Sequence, residues 1–416
     1  MLKKLNLKIC HLAKYYPPMP GGIETHVQTL ARSQSELGAK VTVICVNGLD
    51  SEGHSSVSTQ TTREWDGEVE VIRLGRLLSV ARFDFCPEFF KYFWEIVNES
   101  YDLIHLHTPN PTMLIAWAIS YITGWLTGHS KIPLVITHHS DIIKQQILKY
   151  ALRPFEYFVY SHATCILTTS PLYIEGSRFL RPFKDRLSYL PLGIDYSSYL
   201  HPNSQALDHA HRFQQEHGTP LWLCVGRLVY YKAFHIAIEA LTLVPGKLIM
   251  IGTGALETEL KKLAKQLGVE DRVIWLGHAS PDELVGAYHA ATAFWFPSNA
   301  RSEAFGIVQI EAMASGCPVI NTSIPCSGVS WVSRHEKEAL TVPINDSTAL
   351  AKAAQRLFAE PQLREQLATG GLQRIRKFDS ETMAKRSFKI YEQFLGYETS
   401  SPFYPKEVIE PVVSGD

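Results

Sequence analysis

The stretch ARSEAFGIVQIEAMASGCPVI, residues 300–320, sets Glu303 and Glu311 on either side of a short Phe-Gly-Ile turn and then runs on through small and apolar residues. In a helix that was merely buried, Glu311 would be an awkward neighbour for Ile307, Val308, Ile310, Ala312 and Met313, because a carboxylate taken out of water needs a partner. Something polar must meet it. The residues just before, FWFPSNARSE, read as a strand passing into a loop, so Phe305, Gly306 and Ile307 start a helix whose first N–H groups have no partner within it. Those donors, at the positive end of the helix dipole, suit a phosphate. Glu311, four residues beyond Ile307, falls on the same face one turn deeper.

Outward from this stretch, short β-branched runs alternate with helical patterns, the signature of parallel sheets built from βαβ units. The second half offers LWLCVGR, GKLIMIG, RVIWLG, AFWFPS, PVINTS and ALTVP; the first offers LKICHLA, KVTVICV, VEVIRLG, DLIHLH, PLVITHH, CILTTS and LSYLPLG. The fold class is therefore α/β, with two Rossmann-like domains. At 416 residues the chain also exceeds what one core usually supports. Polar, turn-rich residues 195–218 mark the boundary. The expected division is 1–197, then 198–380, with a helix over 381–397 returning to the first domain and a loosely ordered tail over 398–416.

In open parallel sheets the ligand crevice lies at the carboxyl ends of the strands, and the motifs sit there. After the first strand, KYYPPMPGGIETHVQTL places Gly21 and Gly22 where a loop turns into a helix that stops at Gly38; an ordinary Pro-Gly turn explains them equally well. In VGRLVYYKAF, Arg227 and Lys232 stand five apart across a loop and can converge on one diphosphate. MIGTGALETEL supplies Gly252 and Gly254 but lacks the third glycine of a dinucleotide fingerprint. VITHHSDIIKQQ places His138, His139, Ser140 and Asp141 after a strand; neighbours on a strand face opposite sides and chelate poorly, and His139 is the better candidate for the crevice. No Asp-x-Asp triplet occurs, so a metal-held diphosphate lacks its usual ligands. No metal site is expected.

Composition excludes some partners. Forty basic and forty-one acidic side chains nearly cancel, giving no general attraction to nucleic acid. Seven scattered cysteines, several inside strand-like runs, read as buried thiols of a reducing compartment. MLKKLNLKIC has no apolar run of signal-peptide length. MLIAWAISYITGWLTG, residues 113–128, is too short in its apolar core for a span and reads as a buried helix. Residues 77–97 (LLSVARFDFCPEFFKYFWEIV) and 144–160 (KQQILKYALRPFEYFVY) read either as two helices packed on the sheet or as surfaces for a membrane or a lipid-linked acceptor.

Together these residues resemble the retaining glycosyltransferases of the GT-B fold, the group one family that includes bacterial lipid, polysaccharide and lipopolysaccharide mannosyl-, glucosyl- and galactosyltransferases. The resemblance runs from YYPPMPGGIETHV to RIRKFDSETMAKRSFKIYEQFL, and its most specific part is the Glu-x7-Glu element of Glu303 and Glu311 together with Arg227 and Lys232. It implies two Rossmann-like domains facing across a cleft, and a nucleoside-diphosphate sugar as donor with no metal or other cofactor. Arg227 and Lys232 would neutralise the diphosphate. Glu303 would hold the sugar hydroxyls and Glu311 the ribose; Gly22, Gly254 and the amides of Phe305, Gly306 and Ile307 would line the donor site, and His139 would contact the sugar near the reacting carbon. The acceptor would be a glycan or a polyprenyl- or lipid-linked sugar, reached in the cytoplasm or at the inner face of the membrane, with mannose from GDP-mannose the favoured donor. Three departures bear on loop shape: Ala233 and Ala304 stand where glycine is common, and EKEALTV lacks the usual Thr-Gly-Leu. A sugar-nucleotide epimerase, a glycan phosphorylase or a non-catalytic sugar-nucleotide-binding subunit remain alternatives at this point.

Overall fold

The computed structural model describes residues 7–19, 21–48, 58–80, 83–128, 132–140 and 146–396. The tail expected over 398–416 lies outside them, as does Asp141. Contacts divide the chain into two units, one running to Gly193 and resuming at Ser380, the other spanning Ile194–Asp379.

In the first unit the strands are β1 (Lys8–Leu12), β2 (Lys40–Val46), β3 (Thr62–Asp66), β4 (Val69–Leu74), β5 (Leu78–Val80), β6 (Phe83–Phe85), β7 (Leu103–Thr108), β8 (Leu134–His138), β9 (Cys165–Thr168) and β10 (Leu187–Tyr189). Eight of them form one sheet in the order β10-β9-β8-β7-β1-β2-β4-β3. All its pairings are parallel except β3 with β4. That antiparallel edge was not anticipated; TREWD is half-exposed and carries no apolar run. The central strands are buried on both faces because helices cover both. Accordingly Ile9 belongs to one apolar cluster and its neighbour Cys10 to the other. The helix Ser380–Leu395 packs Met383, Phe388, Ile390 and Tyr391 into the first of these clusters, against Val27 and Leu30 of helix Gly22–Glu36.

The second unit has β11 (Leu221–Val225), β12 (Lys247–Ile251), β13 (Val273–Gly277), β14 (Ala293–Trp295), β15 (Val319–Thr322) and β16 (Ala339–Val342), in the order β13-β12-β11-β14-β15-β16 and parallel throughout. Both sheets reverse direction beside their first strand. β1 lies between β2 and β7, and β11 between β12 and β14. Ligands of open α/β sheets bind outside the carboxyl ends at such a reversal, which singles out the loops after β1, β7, β11 and β14.

The division between the units falls just before the polar segment 195–218. Within it helices Ser197–Leu200 and Ser204–His217 form, and the second begins on an Asn203 cap. It packs on helix Pro281–Ala290, where the absence of a side chain at Gly286 is required, since a Cβ would stand 2.6 Å from Cβ of His209. Leu78–Val80 and Phe83–Phe85 pair as antiparallel strands rather than forming a helix, and a helix follows only at Phe89–Asn98. Helix Pro111–Thr127 is buried over Met113, Leu114, Trp117 and Ala118, but Ile119, Ile122, Trp125 and Leu126 are exposed. Among the described residues no helix is long and apolar enough to cross a membrane. Six cysteines are buried thiols, whereas Cys326 is exposed.

The Gly286→Ala substitution tests the helix crossing. The added methyl must push the two helices apart, so a loss of about 1–3 kcal/mol is expected, measured by urea denaturation.

Candidate functional site

The second unit brings Lys232 and Glu303 together. Lys232 ends the 3-10 turn Tyr230–Lys232 in the loop after β11, and Glu303 lies in the loop after β14. Nζ of Lys232 stands 2.6 Å from Oε2 of Glu303, both residues 8% exposed. A lysine so enclosed needs an opposite charge, because an unpaired buried ion costs several kcal/mol. The ammonium also lies 4.9 Å from the centre of the Phe296 ring, a favourable cation–π distance. Its stem passes Gly226, where a Cβ would stand 3.2 Å from Cε of Lys232. Arg227 is exposed, donates to the Tyr231 hydroxyl at 3.2 Å and has no ion-pair partner among the described residues. It therefore offers an uncommitted positive charge.

The turn after Glu303 carries free amides. The helix begins at Val308 rather than at Phe305 and ends at Ala314. Gly306 adopts φ 78°, and a Cβ there would lie 2.8 Å from the Phe296 ring, so both conformation and space require glycine. The N–H groups of Phe305, Gly306 and Ile307 make no hydrogen bond to the described residues. Gln309, unremarked in the sequence, fixes this turn. Its Nε2 donates to the Phe305 carbonyl at 3.1 Å, while its Oε1 accepts from Asn321 Nδ2 at 3.1 Å and from the Ser333 hydroxyl at 2.6 Å.

Glu311 does meet something polar: the Tyr288 hydroxyl donates to its Oε2 at 2.9 Å. Burial raises its carboxyl above the ordinary range, and the Tyr288 hydrogen bond and the charge of Lys232 oppose that rise. Tyr199 lies in the same neighbourhood, its ring 5.9 Å from that of Tyr288, and burial beside Glu311 raises both phenols. Neither tyrosine was singled out from the sequence, since Tyr288 reaches Glu311 from helix Pro281–Ala290 and Tyr199 comes beside it from helix Ser197–Leu200.

Gly254 has an internal explanation: a Cβ there would stand 2.5 Å from the Leu228 carbonyl oxygen, in the same loop that carries Arg227 and Lys232. Ala233, where glycine is common, sits at φ 50° in the left-handed region, a position that costs an L-residue about 1–2 kcal/mol. Ala304 shows no such strain. In EKEALTV, Glu338 is buried and paired with Arg334, and Ala339 begins β16, so this departure leaves Lys232 and Glu303 untouched.

In the first unit a Cβ at Gly22 would meet nothing within 4 Å, so the surrounding chain does not itself require glycine there. His138 and His139 face opposite ways: Nδ1 of His138 contacts the Tyr160 hydroxyl at 2.7 Å, whereas Nε2 of His139 contacts Nδ1 of His107 at 3.1 Å. His139 clusters with four other buried imidazoles, His11, His26, His105 and His107, gathered from β1, β7, the end of β8 and helix Gly22–Glu36; His138, also buried, lies outside the cluster. Burial lowers all five pKa values, that of His11 to about 4 and that of His26 to about 3. The sequence held a signal, His105 and His107 two apart on one strand face, but not the pairing of β7 between β1 and β8 that assembles the group.

Comparison with known proteins places the whole chain. Residues 20–198 match the family model Glycosyltransferase Family 4, and residues 208–374 match Glycosyl transferases group 1. D-rhamnosyltransferase WbpZ of Pseudomonas aeruginosa is 31% identical over 373 residues, covering 89% of this chain and 92% of its own. O-antigen chain mannosyltransferase C of Escherichia coli is 27% identical over 391 residues, with coverage of 94% and 99%. Among solved structures, sucrose-phosphate synthase from Thermosynechococcus elongatus has a TM-score of 0.75 at 22% identity, covering 94% of this chain and 100% of that one, a likeness of fold.

The Glu311 carboxyl makes a pH-dependent prediction. Its folded pKa lies above the unfolded value, so the unfolded chain releases that proton first and ionisation favours unfolding. This destabilisation is absent below the ordinary carboxylate range, grows as pH rises towards the raised value, and is complete above it. Glu311→Gln, which still accepts from Tyr288, should therefore melt higher than the native enzyme at pH 7. In a series of melts at falling pH the advantage should vanish.

Proposed function

The chain belongs to the GT-B glycosyltransferases of group 1 and family 4, and on that premise we propose that it transfers a hexose from a nucleoside-diphosphate sugar to an acceptor hydroxyl with retention of anomeric configuration. The Lys232–Glu303 pair carries this reading. An ammonium has three N–H donors; one is committed to Glu303, leaving two for the diphosphate, and Arg227 adds a second cation. As the bond from the anomeric carbon to the diphosphate oxygen breaks, the electron pair leaves with the diphosphate, and fixed positive charge aimed at that oxygen lowers the barrier. The acceptor oxygen bonds the anomeric carbon on the face just vacated, and its proton passes to the departing phosphate oxygen. Side-chain cations and the amides of Phe305, Gly306 and Ile307 supply the charge stabilisation without a divalent ion. Glu303 accepts hydrogen bonds from the sugar hydroxyls, Glu311 from the ribose, and His139 contacts the transferred sugar. Gly22 gives the donor access to backbone N–H groups.

Mannose from GDP-mannose is the donor we favour. WbpZ is named for D-rhamnose and its Escherichia coli counterpart for mannose, and D-rhamnose is 6-deoxymannose, so the two sugars share one ring configuration. For the acceptor we propose a glycan or lipid-linked sugar of polysaccharide or glycolipid biosynthesis, met at a membrane surface. Support comes from Ile119, Ile122, Trp125 and Leu126, an exposed apolar stripe on a helix without charged residues. An apolar crevice lined by Phe93, Trp94, Trp117, Tyr121 and Trp125 adjoins it.

Lys232→Ala and Glu303→Ala should each lower kcat by roughly 100-fold or more with the correct donor; unchanged turnover in both would overturn the assignment. In thermal-shift measurements with GDP-, UDP- and ADP-sugars, GDP-mannose should give the largest rise. For the surface, the purified protein should float with anionic liposomes at low salt and the double substitution Trp125→Glu, Leu126→Glu should reduce that fraction. Failure of the native protein to float would remove the membrane reading and leave the transfer reaction intact.

A further inference from the structure

The five clustered histidines invite two explanations. His26, His107 and His139 have nitrogens close enough together to share a metal ion, and so do His11, His105 and His107. The contacts themselves favour hydrogen bonding. His107 and His139 touch nitrogen to nitrogen at 3.1 Å with ring centres 5.4 Å apart and planes within 22°. His11 and His107 touch at 3.0 Å with centres 5.3 Å apart and planes within 23°. In each pair the two nitrogens lie nearly on the line joining the ring centres, so each lone pair is aimed at its neighbour's N–H rather than at a shared third point. A zinc ion needs its nitrogens about 2.0–2.1 Å away, converging tetrahedrally. The in-line geometry is that of N–H···N.

Such a chain of neutral imidazoles has a direction, and here its start is fixed. The Ser387 hydroxyl donates to the Ala384 carbonyl at 2.7 Å, and a carbonyl can only accept. Oγ of Ser387 is then left to accept from Nε2 of Gln34 at 2.8 Å, which orients the Gln34 amide. The same Nε2 donates to the Tyr391 hydroxyl at 3.1 Å. Oε1 of Gln34 thus faces Nε2 of His11 at 2.8 Å, and that nitrogen must carry the proton. Nδ1 of His11 becomes an acceptor, so Nε2 of His107 carries a proton, and Nδ1 of His107 in turn accepts from Nε2 of His139. Burial keeps each ring neutral, as the direction requires.

We propose that this one-way relay, from the Ala384 carbonyl through Ser387, Gln34, His11 and His107, fixes His139 as the Nε2–H tautomer and makes its Nδ1 a hydrogen-bond acceptor for a hydroxyl of the transferred sugar. The last clause rests on the sugar contact proposed above; the tautomer does not. Gln34, His11 and His107 are positioning residues. A tautomer set in advance removes an alternative that would present a donor to the same hydroxyl and leave two N–H groups or two lone pairs opposed. The helix Ser380–Leu395 thereby acquires a task beyond packing, since it supplies both the carbonyl that begins the relay and the hydroxyl that passes it on.

The test uses full-length enzyme labelled with nitrogen-15 in the histidine rings, with the His139 signals identified by their loss in His139→Gln. Two- and three-bond proton–nitrogen correlations should show His139 protonated on Nε2 and bare on Nδ1; the reverse pattern overturns the proposal. Gln34→Leu removes the acceptor that orients His11. It should leave the His139 signals as a mixture of tautomers and lower kcat about tenfold or more, with a smaller change in the donor KM. A folded Gln34→Leu enzyme whose His139 tautomer is unchanged also overturns the relay, and if that variant does not fold the native spectrum decides alone. Full turnover in His139→Ala would remove the sugar contact while leaving the tautomer result standing.

Discussion

A lysine cannot be enclosed by a protein without a partner, and the enclosure of Lys232 organises the second unit around Glu303. The pairing ties the loop after β11 to the loop after β14, two strands adjacent in the sheet but separated by most of a βαβαβ crossover in the chain. Once those loops are joined, other constraints follow in order. Gly226 leaves room for the lysine stem, Phe296 lies under the ammonium, and Gly306, in the left-handed region, has no space for a Cβ beside that same ring. The amides of Phe305, Gly306 and Ile307 have no hydrogen-bond partner among the described residues, because the helix starts only at Val308. The cost of one buried charge is thus converted into a fixed turn.

That hierarchy explains which parts could be read directly from residues. Six runs in the second half announced the strands because a parallel sheet covered on both faces needs continuous apolar segments, and Glu303, Lys232 and Arg227 stood out because charge beside such runs is rare. The missed features depend on partners distant in sequence. Tyr288 is an unremarkable aromatic in PDELVGAYHA until its helix is placed against Glu311. The left-handed turn at Ala233 was visible only as a missing glycine, and its backbone angle supplies the reason glycine is common there. Residues 195–218 read as polar because helix Ser204–His217 buries only Ala206, Ala210 and Phe213 and leaves most of the rest to water, so the helix itself left no apolar run to announce it.

Two clusters at strand ends handle polar groups in opposite ways. In the loops after β11 and β14, the charges of Lys232 and Glu303 are retained and paired, so the electrostatic field is built in before any ligand arrives. Beside β1, β7 and β8, five imidazoles are enclosed with burial holding each below its ordinary pKa, so that cluster is neutral and directional. A charged cluster of that density would repel itself, while a neutral one can be satisfied by alternating donors and acceptors.

His26 marks where that satisfaction stops. Both of its ring nitrogens are buried without a partner among the described residues, 5.1 Å between ring centres from His139 and 5.7 Å from His107. It meets both rings edge-on, at 73° and 70°, outside the in-line direction of the relay. An imidazole N–H placed over an aromatic face gains a weak attraction, which is less than a full hydrogen bond returns. The nitrogens of His26 therefore go without the return of a full hydrogen bond, and its ring lies edge-on against the two rings of the relay.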